Sequence, residues 1–201
     1  MATSYSKFKY QDIKELGVKV IRKKLFNTLP EPVEPTDFLN KILEMNLKRH
    51  LGTEKAKSEQ IITPVLNELV ERNIDELTFF SGYNFDVDKA QGLKGHVDFI
   101  LTKDAFSPII EAPIFCIVEA KNDNLDIGGP QCIAEMYASK IFNEQRKYPI
   151  SKIYGTVTFG LAWQFLCLDN NVCIIDTDVY YLSDLPKLLG IIQYIIDTPN
   201  S

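Results

Sequence analysis

Apolar positions in this chain recur at helical spacing in its first third, then gather into short runs, then return to helical spacing at the end. Ile13, Leu16, Val20 and Ile21 predict a helix within residues 11–27. The link Leu29-Pro30-Glu31-Pro32-Val33-Glu34-Pro35 interrupts it, and Thr36 or Asp37 is suited to cap a second helix reaching about residue 49. After Gly52-Thr53, the stripe Ile61, Ile62, Val65, Leu66, Leu69 and Val70 predicts a longer helix over about 54–72, with Pro64 as a point where it kinks.

The pattern then changes to strands. Residues 78–87 partly alternate, Gly92 and Gly95 mark a turn, and His96–Thr102 and Pro113–Ala120 read as strands. The run Ile114-Phe115-Cys116-Ile117-Val118 is apolar at consecutive positions, as a central strand covered on both faces requires. Gly128-Gly129-Pro130 punctuates the chain, and Pro130 suits the first residue of a helix to about 146. Lys152–Phe159, Ala162–Leu168 and Val172–Asp176 follow as strands, with Asp169-Asn170-Asn171 turning between the last two; 184–197 closes as a helix. This order predicts an α/β fold with a central mixed sheet flanked by helices. The expected organisation is a helical extension over 1–50 and an α/β domain over 51–201, forming one globular unit.

Composition narrows the class. With 45% hydrophobic and 24% charged residues the chain has the balance of a globular protein. Cys116, Cys132, Cys167 and Cys173 form no C-x-x-C pair, which suits buried thiols in a reducing compartment. The opening MATSYSKFKYQ lacks an apolar core for a secretory signal, and no run is long enough to span a membrane, so a cytoplasmic protein without a membrane partner is expected. A net charge of −5 weighs against a polyanionic partner, yet residues 7–24 hold seven Lys and Arg against Asp12 and Glu15. Such a run is usually a solvated helix face, and Lys48-Arg49-His50 is a second one.

The chemistry concentrates around two strands. Glu119 and Lys121 lie two residues apart at the end of a buried strand, so their side chains share a face. Asp98 sits between Val97 and Phe99 on the preceding strand, where a charge is costly unless it is paired or binds a cation. An antiparallel hairpin would hold Asp98 beside Glu119. Hard divalent cations take oxygen ligands of this kind, and a lysine alongside can steady developing negative charge.

These residues resemble the PD-(D/E)XK, or restriction-endonuclease-like, nuclease superfamily. The resemblance rests on Asp98, then Glu119-Ala120-Lys121 after an apolar strand, and covers about residues 54–176. Ser58-Glu59-Gln60-Ile61-Ile62-Thr63-Pro64 is similar to the superfamily's first-helix motif, and Gln131-Cys132-Ile133-Ala134-Glu135-Met136-Tyr137 to its glutamine-bearing helix. Tyr154–Phe165 is similar to the strand pair after that helix, and the nearest flavour is the N-terminal nuclease domain of type I restriction R subunits. Val97 replaces the proline of the motif's name. The resemblance implies a restriction-endonuclease-like core and Mg²⁺- or Mn²⁺-dependent hydrolysis of nucleic-acid phosphodiesters, DNA before RNA. It implies metal ligation by Asp98, Glu119, the Ala120 carbonyl and Glu59, with Lys121 acting on the water and Gln131 assisting. It also leaves room for a homodimer or a partner subunit.

Each residue has a plainer reading. Asp98, Glu119 and Lys121 could be strand-end ion pairs, and Glu54 and Glu68 compete with Glu59 on the same helix. Gln131 could simply decorate a helix start. His96 with Asp98 makes an H-x-D pair, but two histidines and no cysteine cluster do not build a zinc site. Gly128-Gly129-Pro130 lacks the G-K-[ST] ending of a phosphate loop, and there is no Gly-x-Ser-x-Gly elbow. The alternative to a nuclease is a catalytically inactive module of the same fold that binds nucleic acid or a protein partner.

Overall fold

The computed structural model describes residues 2–122 and 124–198; Asp123 and the end of the expected 51–201 domain fall outside them. The chain forms an α/β structure around one open mixed sheet of eight strands. Its elements are α1 (Tyr10–Glu15), β1 (Lys19–Arg22), α2 (Asp37–Leu47), α3 (Glu54–Lys57), α4 (Thr63–Arg72), β2 (Thr78–Asn84), β3 (His96–Thr102), β4 (Ile114–Ala120), α5 (Leu125–Gln145), β5 (Lys152–Thr158), β6 (Ala162–Asp169), β7 (Val172–Ile175), β8 (Tyr180–Tyr181) and α6 (Leu185–Asp197). The sheet order is β1-β7-β6-β5-β4-β3-β2, with β8 on β6. Strands β2, β3 and β4 run antiparallel in sequence, β4 and β5 are parallel across α5, and β5, β6 and β7 are antiparallel again.

Every residue of β4 is buried, as its unbroken apolar run predicts. Helix α5 covers β4, β5 and β6, while α2, α4 and α6 form a second helical group with α4 against β2 and α6 against β8. Phe115, Ile117, Phe165 and Ile191 are almost wholly removed from water, each such side chain contributing roughly 2 kcal/mol. All four cysteines are buried and unbridged.

The largest departures of the structure from the sequence expectation are three. The predicted helix over 11–27 is only α1; Gly17, at φ +81°, ends it, and Lys19–Arg22 becomes a strand parallel to β7. The N-terminal section therefore supplies one edge of the sheet as well as helices. The helix over 54–72 contains a π segment, Ser58–Ile62, between α3 and α4. Pro64 lacks the N–H that would reach the Gln60 carbonyl, and Asn46 Nδ2 donates to that carbonyl instead at 2.8 Å. Finally, α5 begins five residues before Pro130, capped by Asn124, whose Oδ1 accepts from the Asp126 N–H at 2.9 Å.

The N-terminal section is also pinned through Thr36 and Glu68. Thr36 caps α2 by accepting from the Leu39 N–H. The Glu68 carboxylate on α4 accepts from the Thr36 N–H at 3.0 Å and hydroxyl at 2.6 Å, and from Arg72 Nε at 2.9 Å.

Candidate active site

Strand β4 delivers Glu119 into the interior, where it is fully buried. The antiparallel register pairs Phe99 with Val118, so one step further Asp98 lies opposite Glu119. Half-buried Asp98 is tied to β4 directly: its Oδ2 accepts from the Ala120 N–H at 2.8 Å. The Lys121 N–H continues the β4–β5 pairing by donating to the Thr158 carbonyl at 2.7 Å. Its Nζ then turns back to Glu119 Oε1 and also donates to Gln131 Oε1 at 3.3 Å. Gln131 passes the contact on, donating from Nε2 to Glu135 Oε1 at 3.0 Å.

Glycine makes this approach of helix to sheet feasible. A Cβ at Gly128 would stand 2.5 Å from Val157 Cγ1 and 3.2 Å from Lys121 Cγ. The stem of Lys121 thus fills space that any side chain at 128 would need.

The electrostatics are unusual for a structural ion pair. Burial, then the charge of Asp98, push the Glu119 carboxyl up to about 8 against the pull of Lys121. Burial also raises Asp98, opposed by the Ala120 N–H and Lys121. Glu135, fully buried on α5, is held well above the carboxylate range by burial and by Glu119. Burial acts to lower the Lys121 ammonium, but Glu119, with Glu54 and Asp98 beyond it, carries it above its ordinary value. Three acids thus surround one lysine, and Oε2 of both Glu119 and Glu135 has no hydrogen-bond partner. A buried, unpartnered carboxylate oxygen costs several kcal/mol unless a proton or a cation joins it.

Of the expected site residues, Asp98, Glu119, Lys121 and Gln131 come together, and Ala120 contributes its N–H to Asp98. Glu59 does not join them: it is exposed and lies 3.8 Å from Lys55. Glu54, five residues nearer the start of the same helix, is the helical acid whose charge reaches Lys121. His96 is exposed at the start of β3, opposite Asn84. Sequence reasoning missed Glu135, although the signals were present. It is a charge within the apolar stretch Cys132-Ile133-Ala134-Glu135-Met136, and it lies four residues after Gln131 on the same helix face. Lys57 was also missed; its ammonium donates to the Asn122 carbonyl and stands 5.7 Å from the centre of the Phe159 ring.

The donor set of carboxylate oxygens suits a hard cation, and the nearby Cys132 thiol is kept protonated by burial and by the charges of Glu135 and Glu119. Among the described residues, no three His, Cys, Asp or Glu side chains are arranged to ligate together. Asp98 and Glu119 are therefore the pair on offer, which is enough for an ion such as Mg²⁺ that keeps most of its water. No protein-family profile and no curated protein matches the chain at a significant level.

Proposed function

We propose that this chain is a metal-dependent nuclease hydrolysing phosphodiester bonds of nucleic acid, DNA rather than RNA, with a restriction-endonuclease-like core. The observation that carries the reading is the convergence of Asp98, Glu119 and Lys121 at the end of two adjacent strands, with one Glu119 oxygen unpartnered. Asp98 and Glu119 would hold Mg²⁺ or Mn²⁺, helped by the Ala120 carbonyl. The chemistry such an ion supplies when bound is positive charge opposite the phosphate oxygens and a more acidic water.

The remaining work falls to the chain. The Ala120 N–H fixes the Asp98 carboxylate. Lys121 orients the attacking water and balances charge that builds on the phosphate as the P–O bond to the new oxygen forms and the bond to the departing alkoxide breaks. Gln131 holds the Lys121 ammonium from the helix side, and Glu135 holds Gln131. Burial of this chain of contacts keeps bulk water away, so each charge acts at greater strength.

The test is cleavage of DNA by purified protein with Mg²⁺ or Mn²⁺, compared with Asp98→Ala and Lys121→Ala. Loss of cleavage in both, with unchanged circular dichroism, is the expected result; cleavage that persists in either variant overturns the mechanism. The second reading, an inactive module of the same fold binding nucleic acid or a protein, draws support from how closed the site is. The Glu119 side chain is 1% exposed and its Lys121 partner 17%. Absence of both Mn²⁺ binding by calorimetry and cleavage of any DNA or RNA would favour that module.

A further inference from the structure

The basic stretch over residues 7–24 is left unused by the site itself, and the structure gives it a shape. Two adjoining cavities of about 400 and 480 Å³ run beside β1, sharing Tyr10 and Val20 in their walls. Lys14 and Lys19 line the first, and Arg22 and Asp126 the second. Both lysines are exposed and make no ion pair with a described residue, whereas Arg22 is joined to Asp126 at 2.8 Å. The other acids on this stretch are Asp12 and Glu15 of α1; Asp12 accepts from the Lys9 N–H, and Asp178 pairs with Lys24 at 3.5 Å. The cations therefore predominate along the groove.

The groove is joined to the candidate active site by the start of α5. Asp126 stands at its Arg22 end. The Tyr10 hydroxyl lies where a Cβ at Gly129 would be, 2.6 Å away, while the neighbouring Gly128 packs against the stem of Lys121. One helical turn thus borders the groove on one side and Lys121 on the other. Tyr10 is 43% exposed, so part of its ring is presented to an occupant.

We propose that this groove, walled by Tyr10, Lys14, Lys19 and Arg22, carries the phosphodiester backbone of the nucleic acid whose scissile bond lies at Asp98, Glu119 and Lys121. The inference rests on the nuclease reading and extends it, since it explains how a chain of net charge −5 holds a polyanion. Lysines meet phosphates as point charges, and an exposed aromatic ring offers a stacking surface for a base. The plain competing role for Lys14 and Lys19 is to guard an exposed sheet edge against pairing with another strand.

The experiment is fluorescence anisotropy of labelled single- and double-stranded DNA oligonucleotides in EDTA, where binding is measured without cleavage, across a series of NaCl concentrations. The variants are Lys14→Glu/Lys19→Glu, the milder Lys14→Gln/Lys19→Gln, and Lys41→Glu/Lys48→Glu, on α2 and at its C-terminal cap, as a charge-matched control. The expected result is a loss of about tenfold or more in affinity for the Glu pair. The salt slope should fall by about two in both groove pairs, roughly one for each phosphate contact removed. The α2 pair should retain the wild-type slope. Equal affinity and slope in wild type and both groove pairs would overturn the groove and leave the lysines as edge guards. Cleavage by a wild type that binds neither oligonucleotide would also overturn the groove while the nuclease reading stands. Groove-dependent binding together with cleavage that survives Asp98→Ala would overturn the catalytic assignment and keep the groove. Neither binding nor cleavage would overturn both.

Discussion

Lys121, the residue after β4, turns back onto Glu119 and pairs with one oxygen of its carboxyl where the strand leaves the core. The pair is buried enough that removing one partner should cost more than removing both. Lys121→Met is expected to destabilise the metal-free protein by about 3 kcal/mol at alkaline pH, where it strands the Glu119 carboxylate, and by less at neutral pH, where that carboxyl takes up a proton; Glu119→Gln/Lys121→Met should recover most of the alkaline loss. Urea unfolding in EDTA measures both; equal stability of the single and double variants would show that the pair is not coupled.

Glu135 presents a different balance. It receives one hydrogen bond from Gln131, and its other oxygen has none, close to Glu119. Glu135→Gln keeps an acceptor for Gln131 and places two permanent N–H donors where the protonated carboxyl has a single O–H. The metal-free variant should be more stable by about 1 kcal/mol at neutral pH. A variant less stable than the parent would show that the carboxyl and its proton fit the site better than an amide.

The Thr36–Glu68–Arg72 cluster predicts a pH effect far from the site. Burial acts to raise Glu68, but the Thr36 and Arg72 hydrogen bonds outweigh it and hold the carboxyl below its ordinary value. A lowered folded value means that the carboxylate's stabilising contribution is fully present above the usual glutamate range and is lost as pH falls through the folded value. Glu68→Gln should therefore cost about 2 kcal/mol at neutral pH and much less in acid, where the parent has lost the same contribution. Thermal melts at neutral and acid pH check this, and an equal cost at both would contradict it.

Gly128→Ala weighs helix propensity against contact. Alanine is intrinsically favoured in a helix by about 1 kcal/mol. Here its Cβ would overlap Val157 and crowd the Lys121 stem, so a net loss of about 2 kcal/mol and weaker cleavage are expected. Val157→Ala in the same chain should restore part of both, read by urea unfolding and by the cleavage rate. Full activity and stability in Gly128→Ala alone would mean the helix can move aside freely.

Much of the sheet was legible because its strands are locally marked. β3 begins and ends where its pattern predicts, and β4 to β7 differ by one or two residues at most. The unbroken apolar run of β4 also located Glu119 and Lys121, since a strand's period places alternate residues on one face. The features that escaped depend on partners distant in sequence. Val20 lies four residues after Leu16, which reads as helix, and only β7 makes Lys19–Arg22 a strand. The π segment depends on the side chain of Asn46, and Glu59 within it lies on the outside, whereas Glu54 before it is the acid whose charge reaches Lys121. Pro130 suits a helix start by local preference, but Asn124 supplies an earlier cap.

The pairing of β1 with β7 also sets an order of assembly. Lys19 and Val172 lie about 150 residues apart in the chain, with every other strand of the main path between them. During synthesis Lys19–Arg22 leaves the ribosome early and its hydrogen-bonding partner arrives only after β6 has been made. A contact of such long range is slow to form, so this edge should dock late, onto a sheet that has already gathered around β4 and β5. Exchange of the β1 amide protons during refolding would follow that final step directly.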